Sequence, residues 1–315
     1  MKLWIRLTVG VFVTAVLIGA MLSQINIRSV FGHISRMGIA GAAETMLLLT
    51  VSYALRARRF QILLSSDAPP FPRLLGVTAV YMFMLRLLPF RAGEVSYLYL
   101  IRRSSDASLA KVGATLAVAR VLDVVSVLGL FCAAAVFESK LLPGITANLF
   151  VTAAALLTLL WFLDRPVRGI AAVLRRMAGG RPGMAERLAA LAGHTADEIL
   201  GLRRRRAYFP AFLITVLTWT VVFLMFYVFL HSFGVNVSLA TALCGSAAAV
   251  AASSLPVNGI GAFGPIEAGW ALGFVAVGVD RQTAISTGIA MNLVMFCYAT
   301  LLAGIGSLAL TRFRR

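Results

Sequence analysis

Charged residues are scarce in this 315-residue chain, and acidic residues are the scarcest among them. Only 13% of the residues are charged, with 12 Asp and Glu residues against 29 Lys and Arg residues. Soluble domains carry about 25% charged residues, so a soluble catalytic domain of ordinary size does not fit. The 60% hydrophobic share and the mean hydropathy of +0.90 predict an all-α, polytopic membrane protein that forms one domain over residues 1–315.

Cysteine and histidine are equally rare, with three residues of each. The cysteines lie in apolar segments without C-x-x-C spacing, which argues against a disulfide framework or a metal site: Cys132, Cys244 and Cys297. The histidines have no Cys, His or acidic neighbour at metal-ligand spacing, and we expect solvated loop positions for His33, His194 and His231. No G-x-S-x-G motif occurs, and the glycines of Gly259-Ile260-Gly261 are not in a strand–turn–helix setting, so we do not expect a nucleotide-binding loop. We therefore expect no catalytic residue, metal or cofactor, and no enzyme.

The formal net charge of +17 is of the kind seen in nucleic-acid-binding proteins, but the pattern favours another explanation. Most arginines, Arg56 and Arg59 among them, are predicted to lie in loops between apolar runs, as the positive-inside rule describes for cytoplasmic loops. Anionic lipid headgroups attract such loops. We therefore predict membrane lipids, anionic or phosphate-bearing, as partners, and no nucleic acid. A homo-oligomer and a partner protein from envelope biosynthesis both stay open.

Six apolar runs are predicted as full transmembrane helices, for which about 20 apolar residues suffice. They cover residues 7–22, 39–55, 112–137, 145–163, 209–230 and 284–310. The first run follows Lys2 and Arg6, so a cleaved signal peptide is the other interpretation. No clear cleavage site follows the run, and we expect an uncleaved span.

A proline and a glycine interrupt the first half of the chain between two apolar segments, each too short to cross a bilayer. Pro89 removes a backbone donor and Gly93 frees the backbone to turn. Non-helical backbone at membrane depth is tolerated only inside protein or beside a wet cavity. We therefore predict a re-entrant hairpin over residues 74–101, with a short cytoplasmic loop as the other interpretation. Its tip carries charged residues that are candidates for substrate binding: Arg86, Arg91 and Glu94.

A second break of the same kind occurs in the second half of the chain. The prolines and glycines between two short apolar segments cannot continue a helix. We predict a second re-entrant hairpin over residues 238–279. Its predicted breaks are Pro256, Gly259 and Gly261. Glu267 follows these breaks, and we expect it to bind substrate as well.

The two hairpins give the chain the layout of an inverted-topology repeat, since each precedes a full span. The predicted halves are residues 1–163 and 208–315, joined by a basic cytoplasmic linker over residues 164–207. With both termini inside, most of the 29 Lys and Arg residues lie in cytoplasmic loops. The first hairpin then enters from the cytoplasm and the second from outside. We expect a multi-pass protein of the bacterial inner (cytoplasmic) membrane.

Apolar residues recur at near-helical spacing in the basic linker: Met184, Leu188, Leu191, Ile199 and Leu202. This pattern predicts an amphipathic helix that lies on an anionic leaflet. A helix that docks a partner is the other interpretation.

Arg120 and Asp123 lie inside the third span, three residues apart, so they share a helix face. We expect them to form a buried ion pair with each other. Arginine suits a phosphate because its planar fork donates two parallel hydrogen bonds and stays charged. Acids at this depth either hold the arginines in place or exchange protons. We expect Arg120 and Asp123 to bind substrate, with ion pairs that lock hairpins to spans as the other interpretation.

Three motifs of the chain resemble those of the lysylphosphatidylglycerol synthase transmembrane-region family, often called flippase-like. Residues 88–94, Leu-Pro-Phe-Arg-Ala-Gly-Glu, resemble its LPgRaGE motif. Arg120 and Asp123 resemble its eR..D motif. Its late P.pGG.G..E motif is matched by Pro256, Gly259, Gly261 and Glu267. The motifs occur in the family's order, which makes the resemblance specific.

The resemblance implies a membrane protein that handles lipids. In the multiple peptide resistance factor branch, the region is fused to a soluble aminoacyltransferase domain and is implied to flip aminoacylated phospholipid. This sequence shows no such domain. Other members are associated with lipid-linked glycans or hopanoids. The expected function is a flippase or transporter for a phosphate-bearing or lipid-linked substrate. The alternative is an intramembrane enzyme, or an accessory subunit, of lipid, hopanoid or cell-envelope glycan biosynthesis.

Overall fold

A computed structural model describes residues 27–88, 92–137, 161–179, 183–253 and 263–312, together with positions 151, 152, 154, 155 and 158. Within these residues the chain is α-helical and forms no strand, as the composition predicts. The helices are α1 Ile27–Leu64, α2 Phe71–Leu87, α3 Gly93–Ser104, α4 Leu109–Phe137, α5 Asp164–Ala178, α6 Met184–Arg204, α7 Tyr208–Ser232, α8 Leu239–Ser253, α9 Pro265–Ala276 and α10 Arg281–Arg312.

Four of the described helices, α1, α4, α7 and α10, are long and apolar enough to cross a membrane. They coincide with the predicted spans 39–55, 112–137, 209–230 and 284–310. The predicted span 7–22 lies outside the described residues, and of the predicted span 145–163 only scattered positions are described. The chain is thus a multi-pass membrane protein.

Helix α1 is longer than the predicted span at both ends. It begins at Ile27, passes a kink at Gly38 (φ 61°, ψ −178°) and ends at Leu64. The sequence interpretation placed Arg56 and Arg59 in a cytoplasmic loop, and this was wrong. Both arginines lie on α1 and are buried. The helix continues beyond them because Phe60, Leu63 and Leu64 supply fully buried apolar side chains.

The first predicted hairpin corresponds to α2 and α3, which pack against each other. Gly93 permits this packing, since a Cβ there would lie 2.5 Å from the backbone nitrogen of Leu85. Close approach, rather than a turn, is therefore the reason for this glycine. The predicted break at Pro89 and the candidate Arg91 lie outside the described residues.

The second predicted hairpin corresponds to α8 and α9, which also pack closely. A Cβ at Gly273 would lie 2.0 Å from the carbonyl oxygen of Gly245, and one at Gly269 would lie 2.6 Å from that of Ala248. The two backbones therefore touch along this seam. The predicted breaks lie outside the described residues: Pro256, Gly259 and Gly261.

A labelling experiment tests whether the first hairpin returns to the side from which it enters. We expect Arg103→Cys, at the end of α3, to label from the cytoplasm, and Asn236→Cys, between α7 and α8, to label from outside. Both positions are exposed. A membrane-impermeant thiol reagent on a Cys297→Ser background reads out each side, because Cys132 and Cys244 are buried. Labelling of position 103 from outside and of position 236 from the cytoplasm would contradict the first hairpin, since a single crossing at residues 74–101 would invert every later segment.

The basic linker folds into α5 and α6, which pack on each other, and α6 also packs on α4. Ile199 and Leu202, predicted to face lipid, are both 1% exposed and belong to the core around α4. The prediction that α6 lies on the leaflet through these residues is therefore wrong. The helical periodicity was correct, but protein covers the apolar face at Ile199 and Leu202, whereas Met184 and Leu188 are exposed.

His33 is buried, whereas the sequence interpretation placed it in a solvated loop. Its Nδ1 donates to the carbonyl oxygen of Phe233 (2.9 Å), and its Nε2 lies 3.2 Å from Oγ of Ser286. These contacts tie the beginning of α1 to the end of α7 and the first turns of α10. His194 and His231 are exposed, as predicted, but they lie on α6 and α7 rather than in loops.

Helix α10 begins directly after an exposed aspartate. The backbone N–H and the hydroxyl of Thr283 donate to Oδ2 of Asp280, at 3.0 and 3.1 Å. These hydrogen bonds hold the pKa of the Asp280 carboxyl below its usual range. The aspartate thus satisfies donors that the first turn of a helix leaves free.

Candidate functional site

A cavity of about 370 Å³ lies where the two predicted hairpins meet the long helices. This volume is within the range of small-molecule sites, about 300–1,000 Å³. Helices α1, α2, α4, α7, α8, α9 and α10 all contribute to its wall. Most of the wall is apolar, and the polar side chains on it are Ser52, Tyr53, Arg56, Arg86, Arg120, Asp123 and Ser253.

The most deeply buried ion pair beside the cavity joins Arg59 and Asp123. Arg59 Nη1 donates to Oδ1 of Asp123 (2.5 Å), and Trp219 Nε1 donates to the same oxygen (3.0 Å). The side chains of Arg59 and Asp123 are 2% and 7% exposed. Arg59 Nη1 also lies 3.3 Å from the hydroxyl of Thr215 on α7. This pair therefore joins α1, α4 and α7.

Arg56 lines the cavity one helical turn before Arg59 and is paired much more weakly. Its nearest described carboxylate oxygen, Oδ1 of Asp123, is 4.0 Å away and already accepts from Arg59 and Trp219. Its guanidinium lies over the Trp219 ring at 5.2 Å, and its Nε has no hydrogen-bond partner among the described residues. A buried cation held this loosely can bind an anion that enters the cavity.

Arg120 has three partners on three helices. Its Nε donates to Glu94 of α3 (3.1 Å), and its Nη2 donates to Oη of Tyr81 of α2 (2.5 Å). Its Nη1 lies 3.6 Å from Oδ2 of Asp123, which confirms that the two residues share a face. The sequence interpretation made Arg120 the main partner of Asp123. Arg59 takes that role, because its nitrogen is more than 1 Å closer.

An asparagine connects the two hairpins behind the cavity. Arg86, in the last turn of α2, donates to Oδ1 of Asn292 (2.6 Å), and Nδ2 of Asn292 donates to Oε1 of Glu267 (2.5 Å). The other carboxylate oxygen of Glu267 accepts from the backbone N–H of Gly264 (2.7 Å). Asn292 is fully buried on α10, and Glu267 is 1% exposed. This chain is called the Arg86–Asn292–Glu267 bridge below.

The structure brings most of the predicted site residues together. Arg86, Arg120 and Asp123 line the cavity. Glu94 is connected to the cavity wall through Arg120, and Glu267 through Asn292 and Arg86. Arg91 lies outside the described residues.

Sequence reasoning missed three residues of the site: Arg56, Arg59 and Asn292. The apolar residues that follow Arg59 were the available signal, since they extend the helix beyond both arginines. Asn292 was detectable as a polar side chain inside an otherwise apolar span. Among the described residues, no three His, Cys, Asp or Glu side chains are grouped closely enough to hold a metal ion.

The family model of the lysylphosphatidylglycerol synthase transmembrane region matches residues 4–304 of the chain. The chain belongs to this family. The match confirms the resemblance read from the three motifs, and it identifies a membrane protein of lipid or envelope biosynthesis or transport. No curated protein and no solved structure is significantly similar to this member of the family.

Proposed function

We propose that this protein is a lipid flippase or lipid transporter that moves a phosphate-bearing or lipid-linked substrate between the leaflets. The observation that carries the proposal is Arg56, a buried guanidinium on a cavity wall whose nearest described carboxylate is 4.0 Å away and bound by Arg59. Burying a cation without a close counter-ion is unfavourable. An anionic group from a ligand would supply that counter-ion.

Three guanidinium groups on the wall point to phosphate as that anion: Arg56, Arg86 and Arg120. Each planar fork can donate two parallel hydrogen bonds to phosphate oxygens. The rest of the wall is mainly apolar and includes four flexible methionines, which adapt to ligands of different shape: Met82, Met225, Met291 and Met295. Only the headgroup needs this polar path, because acyl chains are stable in the surrounding lipid.

Arg120 is the group that can change partners during transport. The side chains of Arg120 and Glu94 are 27% and 28% exposed, whereas those of Arg59 and Asp123 are 2% and 7% exposed. The more exposed pair opens at lower cost, since its charges are already partly solvated. In this mechanism four arginines bind the phosphate: Arg56, Arg86, Arg91 and Arg120. Asp123 holds the arginines in place. Glu94 and Glu267 exchange partners as the cavity opens to each leaflet.

A transport assay with a matched pair of variants tests the role of Arg56. We expect Arg56→Gln to slow translocation roughly 10- to 100-fold, the equivalent of a lost charged hydrogen bond. Arg58→Gln should leave the rate unchanged, because Arg58 is exposed and bonds to Gln61. The measurement is loss of fluorescence from NBD-labelled phosphatidylglycerol in reconstituted vesicles after dithionite is added outside.

Two outcomes would contradict the proposal. Equal rates for the Arg56 and Arg58 variants would show that Arg56 does not bind the substrate. A chemically changed lipid in the mass spectrum, with no movement between leaflets, would favour the intramembrane enzyme. Arg91→Lys and Glu267→Gln extend the test, since the first loses the bidentate fork and the second loses the charge while keeping the shape.

A further inference from the structure

Helix α5 exposes three large apolar side chains on one face. Ile170, Val173 and Met177 are 57%, 54% and 75% exposed. They are three and four residues apart, so they form one continuous stripe on the helix. We call this stripe the apolar row. In a soluble protein such a row is buried against another element.

Helix α6 covers a different side of α5. Ala171, next to the row in sequence, is 3% exposed. Arg168 pairs with Asp197 of α6 (2.9 Å), and the guanidinium of Arg175 lies close to Gly193 of α6. The apolar row therefore faces away from the partner helix of the hairpin.

Helix α5 is strongly basic. The helix contains four arginines and one aspartate, and that aspartate, Asp164, lies 3.6 Å from Arg203 of α6. At about 100° per residue, Arg165 and Arg176 lie roughly a quarter turn from the row, and Arg175 lies roughly half a turn away. A cationic edge beside an apolar stripe matches an anionic headgroup layer above hydrocarbon.

The hairpin formed by α5 and α6 begins and ends beside predicted or candidate spans. Helix α5 follows Trp161 and Phe162, at the end of the predicted span 145–163, and α6 ends just before α7. The guanidinium of Arg165 lies over the Phe162 ring (4.2 Å), and that of Arg203 over the Trp161 ring (5.4 Å). Aromatic and basic side chains of this kind mark the membrane–water interface.

We propose that α5 is an interfacial helix that binds the surface of an anionic leaflet. The apolar row enters the boundary between headgroups and acyl chains, and Arg165 and Arg176 bind headgroup phosphates. The charge of α5 and its position beside a span select the bilayer, rather than a second protein, as the occupant. This inference does not depend on the proposed transport function.

Site-specific fluorescence on the full-length protein tests the proposal. Single cysteines replace Ile170, Val173, Met177 or the exposed Ala172 on a Cys297→Ser background, and each carries a bimane label. The protein is placed in nanodiscs of phosphatidylglycerol or of phosphatidylcholine. We expect a nitroxide-bearing lipid to quench positions 170, 173 and 177 several-fold more than position 172, and aqueous iodide to show the reverse order.

The arginines provide the test of headgroup charge. Quenching of position 173 by nitroxide lipid should be stronger in phosphatidylglycerol than in phosphatidylcholine. Arg176→Gln should reduce that difference, because only Arg165 then remains at the cationic edge, whereas Arg175→Gln should preserve it. Equal iodide quenching at all four positions would overturn the proposal. So would protection from iodide without quenching by lipid, which would mean that protein covers the row. Equal behaviour of the two lipids would overturn the anionic preference.

Discussion

Asp123→Ala is expected to destabilise the folded protein by about 3–5 kcal/mol, because it leaves buried cations without their shared carboxylate. Arg59 is 2% exposed, and the Asp123 carboxylate is its nearest described counter-ion. Trp219 loses its acceptor in the same substitution. Arg56 loses its closest negative charge as well.

Thermal unfolding in detergent, followed by the elution profile after heating, measures the effect. Asp197→Ala is the matched control, because its pair with Arg168 is exposed and worth only about 0.2–1 kcal/mol. The double variant Arg59→Met/Asp123→Leu should regain part of the stability, since it removes both charges. If Asp123→Ala and Asp197→Ala unfold at the wild-type temperature, the carboxylate does not hold α1, α4 and α7 together.

The long helices were predictable because apolar runs of transmembrane length have few other stable structures. The paired helices at residues 74–101 and 238–279 were predictable from the proline and glycine breaks. Which side of a helix faces protein was harder to predict. Ile199 and Leu202 are apolar whether they face lipid or the core, and only the position of α4 decides between the two.

The charged site was predictable only where a motif or an isolated charge marked it. Arg120 and Asp123 stand out within an apolar span. Arg56 and Arg59 belong to a cluster with Arg58, and such clusters at the end of a span usually are cytoplasmic. Helix α1 instead turns two of the three inward, and the pairing of Arg59 with Asp123 joins residues far apart in sequence. No local pattern specifies that contact.

Asn292→Leu is expected to cause the second large loss, in transport and in stability together. The substitution removes the Arg86–Asn292–Glu267 bridge and leaves a partly buried guanidinium and a buried carboxylate without their common partner. Glu267 keeps the backbone N–H of Gly264, but its other oxygen loses its described donor. Leaving buried polar or charged groups unsatisfied costs about 1–3 kcal/mol each, and more when charged.

Under the proposed transport function, the expected loss of transport follows from the position of the bridge. Asn292 lies on α10, Arg86 ends α2 in the first hairpin, and Glu267 lies in the first turn of α9 in the second. A movement of one hairpin that opens the cavity to a leaflet must therefore act on the contact that holds the other. Among the described residues, Asn292 is the only side chain that forms hydrogen bonds to both hairpins. Without it, we expect the two hairpins to open independently.

Thermal unfolding and lipid translocation, measured on the same preparation, separate these effects. Asn236→Leu is the control, because Asn236 is exposed outside the helices. Adding Glu267→Gln to Asn292→Leu should raise the unfolding temperature again, since it neutralises the stranded carboxylate. The double variant should still fail to move lipid, because the link between the hairpins is not restored. Wild-type stability and transport in Asn292→Leu would show that the bridge does not couple the two hairpins.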